Sequence, residues 1–116
     1  MAAVNTSFTL FKGRYNALKF TVEGVSDLDA EGWEARWTFS ENAGATGGDI
    51  LIDKSDNDDI SFSNDKVYVD IFPADMGSIT PGPGYYHELT LIDDNGNPRV
   101  AAYGDNCIVR NTTDIT

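Results

Sequence analysis

Positive charge, histidine and cysteine are scarce in this chain. Its 116 residues include 8 Lys and Arg against 19 Asp and Glu, a formal net charge of -11. Such a field repels phosphate backbones and anionic lipid surfaces, so nucleic acid and membranes are not expected partners. Cys107 is the sole cysteine. An intrachain disulfide and a thiolate metal cluster are therefore excluded, and its setting before Ile108-Val109 suits a small core residue. No run approaches transmembrane length, and Met1 to Ser7 lacks the basic and apolar parts of a signal peptide. The expectation is a protein that stays soluble in the compartment where it is made. No amphipathic helix of useful length is present either.

Alternation is what the sequence has in quantity. Hydrophobic residues make up 41% of the chain and aromatic residues 11%, enough for a folded core. Leu18, Phe20 and Val22 share one face of the segment Tyr15 to Val22. Trp33, Ala35, Trp37 and Phe39 share one face of Gly32 to Phe39, and Val67, Val69 and Ile71 one face of Lys66 to Phe72. Period two over such stretches predicts half-buried strands. Tyr85 to Ile92 and Arg99 to Tyr103 flank Asp93-Asp94-Asn95-Gly96-Asn97-Pro98, a hairpin signal. Asn106 to Arg110 extends the last strand past an irregular point at Gly104-Asp105. Pro73 to Ile79 suits one short helical turn.

This pattern predicts an all-β fold: an antiparallel β-sandwich of seven or eight short strands, with immunoglobulin-like or similar Greek-key topology. It spans residues 1–116 as a single domain, with 1–6 and 111–116 as flexible or partner-bound termini. Trp33, Trp37, Leu18, Phe20, Val67, Val69, Leu89 and Leu91 are the expected core. Glu41 to Gly48 reads as a flexible loop.

Several groups invite a chemical reading. Asp53-Lys54-Ser55-Asp56-Asn57-Asp58-Asp59 places oxygen donors where a calcium ion could gather them. The EF-hand pattern is not met, because Asp58 stands where glycine is needed and Asn64 where glutamate is needed. A solvated turn is the preferred reading. His87, the sole histidine, has no second ligand or nucleophile in view, which favours a packing or interface role. Asp27, Asp29 and Glu31 lie on a connection, and Asp93 and Asp94 on a turn; neither set marks a pair across a sugar cleft. Gly82 and Gly84 lack the helix that a phosphate loop requires. Tyr85 and Tyr86 should point to opposite faces. No catalytic residue, metal ligand or cofactor site is therefore assigned, and the chain is expected not to be an enzyme.

Ordered blocks then point to a family. They are Lys12-Gly13-Arg14-Tyr15 leading to Val22, and Asp27-Leu28-Asp29-Ala30-Glu31-Gly32 leading to Phe39. Pro73-Ala74-Asp75 before Pro83-Gly84-Tyr85-Tyr86-His87-Glu88-Leu89 follows, then the Asp94 to Arg99 hairpin and the Gly104 to Val109 strand. Over about residues 10 to 110 the chain resembles the N-terminal β-sandwich of tailed-bacteriophage baseplate upper proteins and related virion modules. The resemblance implies a structural module with no catalytic residues to carry over. Baseplate upper proteins commonly continue into longer partner-binding regions, and this sequence stops at Thr116. The expectation is therefore an accessory, decoration or adaptor subunit of the virion, made in the host cytoplasm.

Its expected partners are copies of itself and other virion structural proteins. Contacts should run through edges near Ile50, Ile60 or Ser7 to Phe11, or be matched to Lys12, Arg14, Lys54, Lys66, Arg99 or Arg110. Two alternatives stand beside this one. A carbohydrate- or small-ligand-binding sandwich would use Tyr68, Tyr86 or Tyr103 as stacking rings. A small hydrolase would use paired carboxylates.

Overall fold

A computed structural model describes residues 3–42 and 50–111. The expected loop Glu41 to Gly48 and the tail after Asn111 fall largely outside the described residues. Among the described residues nine strands run in chain order: β1 (Val4–Asn5), β2 (Thr9–Lys12), β3 (Asn16–Thr21), β4 (Glu34–Ser40), β5 (Ile50–Asp56), β6 (Asp59–Ser63), β7 (Lys66–Ile71), β8 (Gly82–Ile92) and β9 (Pro98–Asn111). A 3-10 turn at Pro73–Met76 follows β7. It is the single helical turn predicted there.

The fold is all-β, but the strands form one mixed, curled sheet rather than two separate antiparallel ones. Hydrogen bonding follows the order β1-β9-β8-β4-β5-β6-β7-β3, with β2 also on β9. Three pairings are parallel: β1 and β2 on β9, and the brief contact of β5 with β6. That last contact joins only Ser55 to Asp59 and Asp56 to Ile60. Asn57 and Asp59 there have φ of 67° and 68°, a left-handed corner that asparagine and aspartate tolerate better than most residues. The corner turns β6, β7 and β3 over the face of β4 and β8. Phe20 of β3 thus stacks on His87 of β8, with ring centroids 5.8 Å apart.

Leu10, Trp37, Phe39, Val67, Val69, Ile71, Leu89 and Leu91 are fully enclosed. Two expected core residues are placed differently. Trp33 and Leu18 are half-buried and pack against the core from its margin. Trp33 precedes β4, at the mouth of a loop, where the sheet no longer covers it. Residues 4–6, expected within a flexible or partner-bound terminus, pair with β9: Val4 and Asn5 register with Ala102 and Tyr103, and the Thr6 N–H donates to the Tyr103 carbonyl at 2.8 Å.

The long β8–β9 pair contains register shifts, one of them between Tyr85 and His87. Tyr85 faces Cys107 and His87 faces Gly104, so the opposite strand carries the extra residue near Asp105-Asn106. This is the irregular point read at Gly104-Asp105.

Candidate functional site

The acidic stretch 53–59 is the first place where structure and expectation part. It is not one solvated turn. Asp53 to Asp56 belong to β5, and Lys54 on the same strand is buried. Ile52 and Lys54 alternate onto the inner face. The Lys54 ammonium meets Asp59 Oδ2 at 2.6 Å and Asp75 Oδ2 at 2.8 Å, and lies 5.7 Å from the Phe72 ring centre. Burial disfavours its charge, but the two carboxylates outweigh that and hold its pKa above the ordinary lysine value. Asp75 also accepts the Phe72 N–H at 2.8 Å. Burial pushes that carboxyl up, yet Lys54 and this N–H leave it below its ordinary range.

The corner's negative charge is thus met by the chain's own cation. Asp53 turns outward to Arg36, while Asp56 accepts the Ala35 N–H. Among the described residues no group of three or more His, Cys, Asp or Glu side chains is arranged to hold a metal ion.

His87 lies wholly inside. The Trp37 Nε1–H donates to its Nδ1 at 3.2 Å, so Nδ1 is an acceptor. Nε2 then carries the ring hydrogen and donates to the Thr6 carbonyl at 2.7 Å. Phe8 packs on the ring at 4.5 Å between centroids. Burial pushes the imidazole pKa down, with the Thr6 carbonyl partly opposing it. The sole histidine is a neutral bridge between β4, β8 and the link from β1 to β2. It has no cleft for a substrate and no nucleophile among these contacts.

Trp33 forms a ridge between two shallow clefts. One, of about 510 Å³, is lined by Glu31, Asp93, Asp94 and Arg99; the other, of about 280 Å³, by Asp29, Asp56, Asn57 and Phe62. The Arg99 guanidinium sits 5.0 Å from the Trp33 ring centre. The two loops that supply the acids are tied by their own carboxylates. Glu31 accepts the N–H groups of Ser26 and Asp27, and Asp93 those of Asn95 and Asn97. The Asp27 N–H above all holds Glu31 below its ordinary pKa, and the Asn97 N–H does the same for Asp93. Both are settled anions at neutral pH, which suits loop capping and not proton donation.

The expected ring cluster is not assembled as one site. Tyr86 and Tyr103 share a face of the β8–β9 pair with Glu88, whereas Tyr68 lies on β7. Tyr85 is buried and its hydroxyl donates to the Thr80 carbonyl, while Tyr86 turns to the other face as alternation requires. Cys107 is buried, and burial pushes its thiol pKa up. That favours a packed thiol over a reactive thiolate.

The last feature is a seam. The sheet ends at β3 on one side and at β1 on the other, and a groove of about 280 Å³ runs between them. Val4, Phe20, Val22, Ala101 and Ala102 line it, with Lys19 as its charged member. β3 pairs with β7 alone, so its other backbone edge has no strand beside it among the described residues. Sequence reading placed the edges near β2, Ile50 and Ile60 and did not find this one. The signal was Lys19, a lysine of the kind that guards strand edges. No protein-family model matches the chain, and a search of curated proteins finds no significant relative.

Proposed function

We propose that this chain is a non-enzymatic assembly module of a tailed-bacteriophage particle, an accessory, decoration or adaptor subunit acting through protein–protein contacts in the virion. The observation that carries the contact mode is the seam. The open edge of β3 offers unpaired N–H and C=O groups beside apolar side chains, the arrangement used in strand addition. The assignment to a phage rests on the ordered blocks of the sequence. Val4, Val100 and Ile108 add exposed apolar surface along β1 and β9. Lys19 at the groove suits an acidic residue on the partner, whether a further copy or another virion protein.

On this reading the curled sheet works as two layers, β9-β8-β4-β5 facing β6-β7-β3, in the manner of an immunoglobulin-like sandwich. The slight β5–β6 contact and the approach of Phe20 to His87 support it.

The test is native mass and symmetry at high concentration, with localisation in purified particles. A ring or lattice lost on replacing the exposed Val4 or Lys19 at the seam, in a variant that still folds, supports the proposal. A persistent monomer absent from particles would sink it. The Trp33 ridge favours a second reading, a sugar- or small-ligand-binding module. Titration with oligosaccharides, followed by Trp33 fluorescence against a Trp33→Ala control, decides that one.

A further inference from the structure

His87 is buried and titratable, and it lies beneath the seam: Phe20 and Thr6, which line the groove, both touch it. Every element packed on it brings a neutral group. The β1–β2 link brings the Thr6 carbonyl and the Phe8 ring, β3 brings Phe20, and β4 brings Trp37 and Phe39. β9 brings Gly104, its register partner. No carboxylate stands ready to stabilise an imidazolium among these contacts. The Trp37 bond also specifies the neutral ring, whereas the Thr6 bond is available to either form. A proton added at Nδ1 would set a donor against the Trp37 Nε1–H.

The element that must yield is the outermost one. Trp37 is locked between β5 and β8 by full ladders on both sides. The link covering His87 is paired on one side only, to β9, with the four register positions of β2 following it. Thr6 donates to Tyr103 at 2.8 Å, Ile108 donates to Phe8 at 3.0 Å, and β1 adds two register positions. Its seat is also shaped for a close backbone approach. A Cβ on Gly104 would stand 2.0 Å from the Thr6 carbonyl oxygen.

We propose that His87 is a proton-operated latch: the Thr6–Phe8 segment lies closed on β9 over a neutral ring, and protonation at Nδ1, which buries a charge against the Trp37 N–H, favours opening of that segment so that water reaches the imidazolium. Release uncovers the β9 backbone at Tyr103 and Ile108. Because the chain has one histidine, no second imidazole contributes between pH 5 and 7.

The test is amide hydrogen exchange of the whole chain at pH 7.5 and pH 5.0, corrected for the intrinsic pH dependence of exchange. At pH 5.0, about 1.5 units below an ordinary histidine pKa, the released population rises by up to about 30-fold. The amides of Thr6 and Ile108 should show that rise, while those of β4 and β8 stay protected. His87→Gln can accept from Trp37 and donate to Thr6 without titrating, so it should remove the response. Should that variant fail to fold, the ring of the unaltered protein followed by NMR serves instead. Its protonation must track the exchange of Thr6 and Ile108. Equal corrected rates at the two pH values, or loosening spread evenly across the sheet, would overturn the latch. So would a pH response retained in His87→Gln.

Discussion

Lys54 and His87 are both polar side chains enclosed by an apolar sheet, and they are accommodated in opposite ways. Lys54 stays charged, because Asp59 and Asp75 close on it from the corner and the 3-10 turn. His87 stays neutral, because an indole donor and a backbone acceptor fix its tautomer. The ionic cluster sits near the surface, where its carboxylates keep 34% and 25% exposure and water shares the cost of desolvation. The neutral bridge lies at the centre, where a charge would find no counterion. Depth decides which solution is workable: a buried ion needs partners on several sides, and only the margin of this fold supplies them.

The two devices should also fail at different acidity. Asp75 is held below its ordinary pKa when folded, so its contribution is complete above about pH 4 and fades as pH falls through the folded value. His87 is likewise held below its unfolded value. Its neutral form therefore stabilises fully above about pH 6.5, and that contribution declines as pH drops below it. Acid titration should reach the central bridge first and the marginal cluster second.

The largest effect is expected at the bridge. Trp37→Ala removes a fully enclosed ring and strands the Nδ1 acceptor, at a cost of about 3–5 kcal/mol in urea unfolding. A loss below about 1.5 kcal/mol would mean that the indole does not anchor the centre. Next is Lys54→Ala, at about 2–4 kcal/mol, somewhat under the range for fully buried pairs because both carboxylates reach solvent. The gap between variant and parent should narrow as pH falls through the folded pKa of Asp75, which Lys54 holds below its ordinary value. A gap unchanged by pH would make Lys54 a packing residue. The smallest effect is expected at Arg36→Ala. Its pair with Asp53 is 2.8 Å long but about half exposed on both sides, so thermal unfolding should register less than about 0.5 kcal/mol.

Much of this was legible in the alternation. Tyr85, His87, Leu89 and Leu91 all fall on the buried face of β8, as period two requires, and the Asn95-Gly96 turn closes the hairpin with Gly96 at φ 84°. Lys54 was not legible, because a charged residue among aspartates reads as solvent-facing. Its continuation of the Ile52 face was the clue. Nor could alternation place β1. Two residues carry no period, and a parallel pairing with the far end of the chain leaves no local mark. Trp33 was read too deep because it continues the stripe of Ala35 and Trp37 past the point where β4 ends.

The parallel docking of β1 and β2 on β9 bears on how the chain acquires its fold. Val4 registers with Ala102 and Leu10 with Val109, so the first strands to be synthesised wait for the last. Until then Phe8 and Leu10 have no sheet to enter. Closing so long a loop comes before any reward from the contacts it permits, which makes a slow final step. The central hairpins β4–β5 and β6–β7 can form early from neighbouring segments, while β8 needs β9 to complete its second side. Folding should therefore end with the ends: a nascent chain arrested before Pro98 would expose its N-terminal apolar residues to chaperones or to other nascent copies.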